Sequence, residues 1–172
     1  MIGRLERGFL AANRWALIAL LAAMTVIIFT NVAMRYLTSA SLEWAEEVAR
    51  HMMIWLTFLG AGPVLRAGGH IAVDTLPLAL PKPAARALRG LVALLLFAFF
   101  GFMVWYGWLY CQRTMFQTTA VTQIPFSWIY AAMPVGGLCL AVHWLLAVRE
   151  YVREGSFQAD GDGIDANAAA AI

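Results

Sequence analysis

Three stretches of this chain carry no formal charge over the length a membrane crossing needs: Trp15–Met34, Gly90–Gln112 and the apolar run Phe126–Val148. The first is twenty residues long and the other two are twenty-three. At about 1.5 Å of rise per residue, each reaches across a hydrocarbon core of about 30 Å. Inside that core a segment must satisfy its own backbone N–H and C=O groups, which an α-helix does. A fourth segment is weaker, because only His51–Leu65 is free of formal charge. It crosses only if the turns Glu43–Arg50 also lie at membrane depth or just above it. Composition agrees, at 62% hydrophobic and 13% charged residues, against about 25% charged in soluble domains. The chain is therefore expected to be an all-α membrane protein. Its domain, residues 1–154, holds four transmembrane helices at about 13–36, 43–66, 86–112 and 126–150.

Basic residues set the orientation. With the N-terminus inside, Arg4, Arg7, Arg14, Arg66, Lys82, Arg86, Arg89, Arg149 and Arg153 fall on the inner side. The outer side holds Arg35 and Arg113, with Arg50 near the outer end of its helix. This bias predicts cytoplasmic N- and C-termini. The net charge of +2 reflects the same asymmetry and does not point to nucleic acid. The first apolar region exceeds the usual signal-peptide core of about 7–15 residues and lacks a clear cleavage site after it, so it is expected to be retained.

The links differ in character. Gly3–Leu10 is expected to form a short amphipathic turn on the membrane surface. The short outer link Leu37–Leu42 makes the first two helices antiparallel neighbours. The inner link 67–85 contains Gly68-Gly69, Ile71-Ala72-Val73, Pro77, Pro81 and Pro83, and is expected to be an irregular interfacial segment. The outer link Thr114–Pro125 is polar but uncharged. Residues 155–172, rich in Gly, Ala and Asp, have little to bury and are expected to be a disordered cytoplasmic tail. Asp160-Gly161-Asp162-Gly163 lacks the oxygen ligands a calcium loop needs at later positions.

The charged turns of the second helix ask for partners, since a charge in the bilayer centre costs roughly 2.5–3.5 kcal/mol on insertion scales. At about 100° per residue, Glu43, Glu46, Glu47 and Arg50 share one stripe, bordered by Trp44 and His51. Glu46 and Arg50 stand in the favourable i,i+4 order for an intrahelical pair. Arg35, across the short outer link, can reach Glu43 or Glu47, and Asn31 lies one turn below it. Asn31, Arg35, Glu43, Glu46, Glu47 and Arg50 are expected to form a nearly self-neutralising polar cluster that joins the first two helices or binds a partner subunit. Ion coupling through Glu46 or Glu47 and a metal site using His51 are the alternatives.

His51 and His143 enter parallel helices at depths that differ by about 13 Å, too far for one haem iron. Cys111 and Cys139 also differ in depth, against a disulfide. No nucleophile-and-base spacing and no metallohydrolase motif appears, so neither an enzyme nor a bound cofactor or metal is expected. No internal repeat pairs two broken helices, the pattern of carriers that build their own mid-membrane site.

The motifs resemble the small membrane subunit (DctQ-like) of tripartite ATP-independent periplasmic (TRAP) transporters. They are Asn31-Val32-x-x-Arg35-Tyr36, Trp44-x-Glu46-Glu47-x-x-Arg50, Trp55 with Gly60-Ala61, and Arg66-x-Gly68-x-His70-Ile71-x-Val73-Asp74. Ile124-Pro125-x-x-Trp128-x-Tyr130 and Pro134-x-Gly136 follow. Thr122-Gln123 is more polar than the family pattern there. The resemblance implies a multi-pass protein of the bacterial inner membrane that supports a large membrane subunit. A periplasmic binding protein would deliver an organic anion, usually a carboxylate, and a sodium gradient would drive its uptake. The cluster with Trp44 and Trp55, and the inner-loop residues Arg66, His70 and Asp74, fall within these motifs. A self-sufficient ion-coupled carrier and a haem-binding membrane anchor are the rival readings.

Overall fold

The computed structural model describes residues 2–66 and 80–154. They form α1 (Ile2–Thr38), α2 (Ala45–Arg66), α3 (Lys82–Arg113), the short α4 (Phe126–Tyr130) and α5 (Ala132–Glu154). Four spans are long and apolar enough to cross a membrane: Glu6–Thr38, Ala45–Arg66, Lys82–Arg113 and Phe126–Arg149. Their order of packing is α1 on α2, α2 on α5, and α5 on α3. The helices thus stand in a row. α5 holds the middle: 44% of the apolar window in the fourth span is buried, against 6% of that in the first. Leu65 of α2, Ala93 and Phe100 of α3, and Leu140 and Trp144 of α5 make the apolar core. The Trp144 indole donates to the carbonyl of Ala93 at 3.3 Å, which fixes α5 against α3.

Two boundaries depart from expectation. The N-terminal residues are not a separate surface turn, because α1 runs unbroken from Ile2. Glu6, Leu10, Asn13, Leu17, Leu20, Met24, Ile27, Asn31 and Met34 are all buried or half-buried. Their strict alternation of four and three is the seam of a left-handed helix pair, and it carries α1 past the basic residues without a register break. The fourth span is not one helix: it is interrupted at Ala131. Pro134 has no N–H to give the carbonyl of Tyr130, so the regular ladder cannot pass that point. Ala131 and Val135 keep their bonds to the carbonyls of Ser127 and Ala131, at 2.9 and 3.1 Å.

Smaller shifts have similar causes. α3 starts at Lys82 and not near 86, because Pro81 and Pro83 occupy a first turn whose amides have no helical acceptor. α1 ends where Ser39 takes a φ of 55°, the left-handed conformation that stops a helix. Glu43 and Trp44 form a turn ahead of α2, with Ala45 N–H bonded to the carbonyl of Leu42 at 3.1 Å. The expected inner-link segment at 67–79, with His70 and Asp74, and the tail at 155–172 lie outside the described residues.

Candidate functional site

The charged turn at the outer start of α2 divides by partner. Glu47 faces the outer link between α3 and α4. Its carboxylate accepts the backbone N–H groups of Val121 and Thr122, both at 3.0 Å, and the Thr122 hydroxyl as well. The link is folded around this anchor. Thr119 N–H donates to the carbonyl of Ile124 at 3.0 Å, and Ile124 N–H donates to the Thr119 hydroxyl at 3.1 Å. Phe126 N–H reaches the carbonyl of Gln117 at 2.8 Å, while Gln123 takes a φ of 55°. Converging amides bind anions through their partial positive charge, and here an internal carboxylate is that anion. Glu47 is therefore engaged with a loop some 75 positions later, and not with Arg35.

Asn31 is also occupied. It is buried, and its side-chain oxygen accepts the N–H of Leu42 at 2.7 Å, tying the outer link to α1. The remaining charged residues are not brought together within the chain. Arg35 lies with its guanidinium 5.6 Å from the ring centre of its neighbour Tyr36. Among the described residues, Arg35, Glu43, Glu46 and Arg50 form no ion pair, so the i,i+4 pair of Glu46 and Arg50 stays open. All four are exposed. On α2, Glu46 and Arg50 continue into Met53 and Thr57, which makes one exposed stripe at helical spacing. Trp44 is 41% exposed beside it, whereas Trp55 is half-buried.

A second polar assembly, at the inner end, was not read from the sequence. Pro63 lies inside α2 and leaves the carbonyl of Leu59 without its helical donor. The side-chain amide of Asn13 supplies one, at 3.2 Å. The other hydrogen of that NH₂ group points to His143 Nε2 at 3.1 Å. Nε2 is then the acceptor, and the ring proton resides on Nδ1, which has no hydrogen-bond partner among the described residues. His143 is 1% exposed, with the Phe9 ring 5.0 Å away. It sits directly over Gly62, where a Cβ would lie 2.3 Å from the imidazole Cδ2. Nearby, Arg66 Nη2 pairs with Glu6 Oε1 at 2.8 Å. Asn13 thus links α1, α2 and α5 through groups that would otherwise be unsatisfied in an apolar setting. Its signal in the sequence was a proline inside an apolar helix, four positions after a carbonyl that then needs a donor.

Four apolar spans, with polar side chains engaged in loop anchoring and helix joining, define a multi-pass membrane subunit. Residues 24–154 match the family model for tripartite ATP-independent periplasmic transporters, DctQ component. The chain belongs to that family, and it is a small permease subunit of a TRAP transporter. It is 29% identical over 147 residues to the ectoine TRAP transporter small permease protein TeaB of Halomonas elongata, covering 84% of this chain and 72% of that one. It is 23% identical over 128 residues to the sialic acid TRAP transporter small permease protein SiaQ of Vibrio cholerae, covering 74% of each. A third relative is the isethionate TRAP transporter permease protein DctMQ of Oleidesulfovibrio alaskensis, 25% identical over 150 residues. That match takes in 86% of this chain but 24% of the relative's length.

Proposed function

We propose that this chain is a stationary support for the large membrane subunit of a TRAP transporter in the bacterial inner membrane. The complex takes up an organic anion, usually a carboxylate, driven by a sodium gradient and delivered by a periplasmic binding protein. The observation that carries this reading is the open stripe at the outer end of α2. Charges at membrane depth normally face protein or water and find partners, yet Arg35, Glu43, Glu46 and Arg50 have none in an ion pair among the described residues. A second chain that meets this face would supply them. The match takes in only 24% of a longer permease, and the rest of that polypeptide supports such a neighbour. Relatives named for ectoine, sialic acid and isethionate each align over 74–86% of this chain. Such spread supports placing substrate choice in another subunit.

The test is recovery of the large subunit with this chain from detergent extracts. Arg50→Ala is expected to lower recovery more than Glu43→Ala, because Arg50 lies almost two turns deeper and its partner charge would stay buried. Recovery of both variants at the wild-type level would remove the stripe from the interface.

A further inference from the structure

At the opposite side of the row, the outer end of α3 borders a crevice of about 190 Å³ lined by Tyr106, Leu109, Tyr110, Arg113 and Met133. Its shape follows from packing. Gly107 is buried where the start of α5 crosses α3, and a Cβ there would lie 2.7 Å from Pro134 Cδ and 3.1 Å from Met133 Cγ. α5 therefore comes close at Gly107, while the larger residues on either side of it leave a furrow. Tyr110, in its wall, is backed by a ring ladder: it meets Tyr130 edge-on at 4.7 Å, and Tyr130 stacks on Phe126 at 5.8 Å. Tyr106 and Tyr110 are 57% and 50% exposed, so the furrow opens outward to the surroundings of the helices.

Arg113 closes this crevice at the end of a twenty-three-residue uncharged run. Among the described residues it has no acidic partner. A guanidinium held at the membrane surface above an apolar furrow flanked by tyrosines has the complement of one phospholipid. Arg113 can give a phosphate two parallel hydrogen bonds, and the furrow along Tyr106, Leu109 and Met133 can take the upper part of an acyl chain. Volume argues against a soluble ligand. Pockets that enclose one measure about 300–1,000 Å³, whereas a lipid needs only partial contact because the bilayer surrounds the rest of it. We infer that this crevice is a binding site for an anionic phospholipid of the outer leaflet, with Arg113 as its headgroup contact.

Native mass spectrometry of the full chain, delipidated in detergent and titrated with phosphatidylglycerol, tests this. Wild type is expected to retain one phosphatidylglycerol in preference to phosphatidylcholine. Arg113→Gln should cut retention about fivefold, in line with the attraction of one basic residue for an anionic membrane surface. Leu109→Trp, which fills the furrow and leaves the cation in place, should cut it as well. Arg153→Gln, which removes a cation at the other end, should leave it unchanged, with circular dichroism confirming helicity in each variant. Equal retention in wild type, Arg113→Gln and Leu109→Trp overturns the proposal. So does displacement of the lipid by inorganic phosphate, which would mark a free-anion site. Unchanged retention in Arg113→Gln, with loss of the large subunit when the same variant is co-expressed with it and extracted in detergent, would overturn the proposal and assign the crevice to that partner.

Discussion

Replacing Glu47 with Ala removes the acceptor for three donors of the outer link at once, two backbone amides and the Thr122 hydroxyl. Hydrogen bonds to a charged group are the stronger kind, so the link should open far more often without it. Amide exchange at Val121 and Thr122 is expected to rise by at least about tenfold in Glu47→Ala. The adjacent Glu46→Ala should leave both amides at the wild-type rate, because Glu46 belongs to the open stripe. Unchanged exchange in Glu47→Ala would remove it as the anchor of the link. Adjacent carboxylates therefore serve different purposes. The helical wheel put both on one stripe, and only a contact across some 75 positions of sequence separates them. No local pattern carries that information: two of the donors are backbone N–H groups, which every residue but proline has.

At the scale of elements, the joint between α1 and α2 rests on two buried asparagines, Asn13 and Asn31, spaced eighteen positions apart on one seam. At helical rise that places a polar bond at each end of a span of about 27 Å. Asn13→Ala should destabilise the fold by about 1–3 kcal/mol, since it strips a donor from both Leu59 C=O and His143 Nε2. The loss should shrink when Pro63→Ala is added, because the alanine restores a backbone donor to the Leu59 carbonyl. A double-mutant cycle from unfolding in detergent checks this; additive costs would mean that the proline and the asparagine are not coupled. Much of this joint was legible. The uncharged runs located three spans outright, and Asn31 was placed near the outer link. Asn13 and His143 lie 130 positions apart, and a lone histidine in an apolar helix offers no sign of which neighbour it meets. The break at Ala131 was legible in principle from Pro134, as was the start of α3 from Pro81 and Pro83. The continuity of α1 was hidden by Arg4, Arg7 and Arg14, which precede the uncharged run, while Glu6, Leu10 and Asn13 between them kept the helical seam.

Across the whole molecule, a row of helices leaves more side-chain surface open than a closed bundle would. α5 is covered on two sides by α2 and α3, and α1 touches mainly α2. Large apolar side chains such as Phe29, Leu94, Phe102 and Trp105 are left exposed, at 73, 66, 61 and 63%. Lipid covers such surface without penalty, and so does a large membrane neighbour. Polar groups are the discriminating part, because lipid tails cannot satisfy them. In this chain those within the row are largely engaged: Glu47 with the link, Asn31 with the α1–α2 turn, Asn13 with α2 and α5. Besides His143 Nδ1 and Arg113, what remains open is the charged outer stripe, which suits a protein partner. The proposed supporting role is tested most directly by substrate uptake into sodium-gradient proteoliposomes. The arms are this chain alone, the large subunit with the binding protein, and all three together, using the organic anion that the binding protein captures. The account predicts uptake with all three, none with this chain alone, and strongly reduced uptake when it is omitted. Transport by this chain alone, or full uptake without it, would contradict the account.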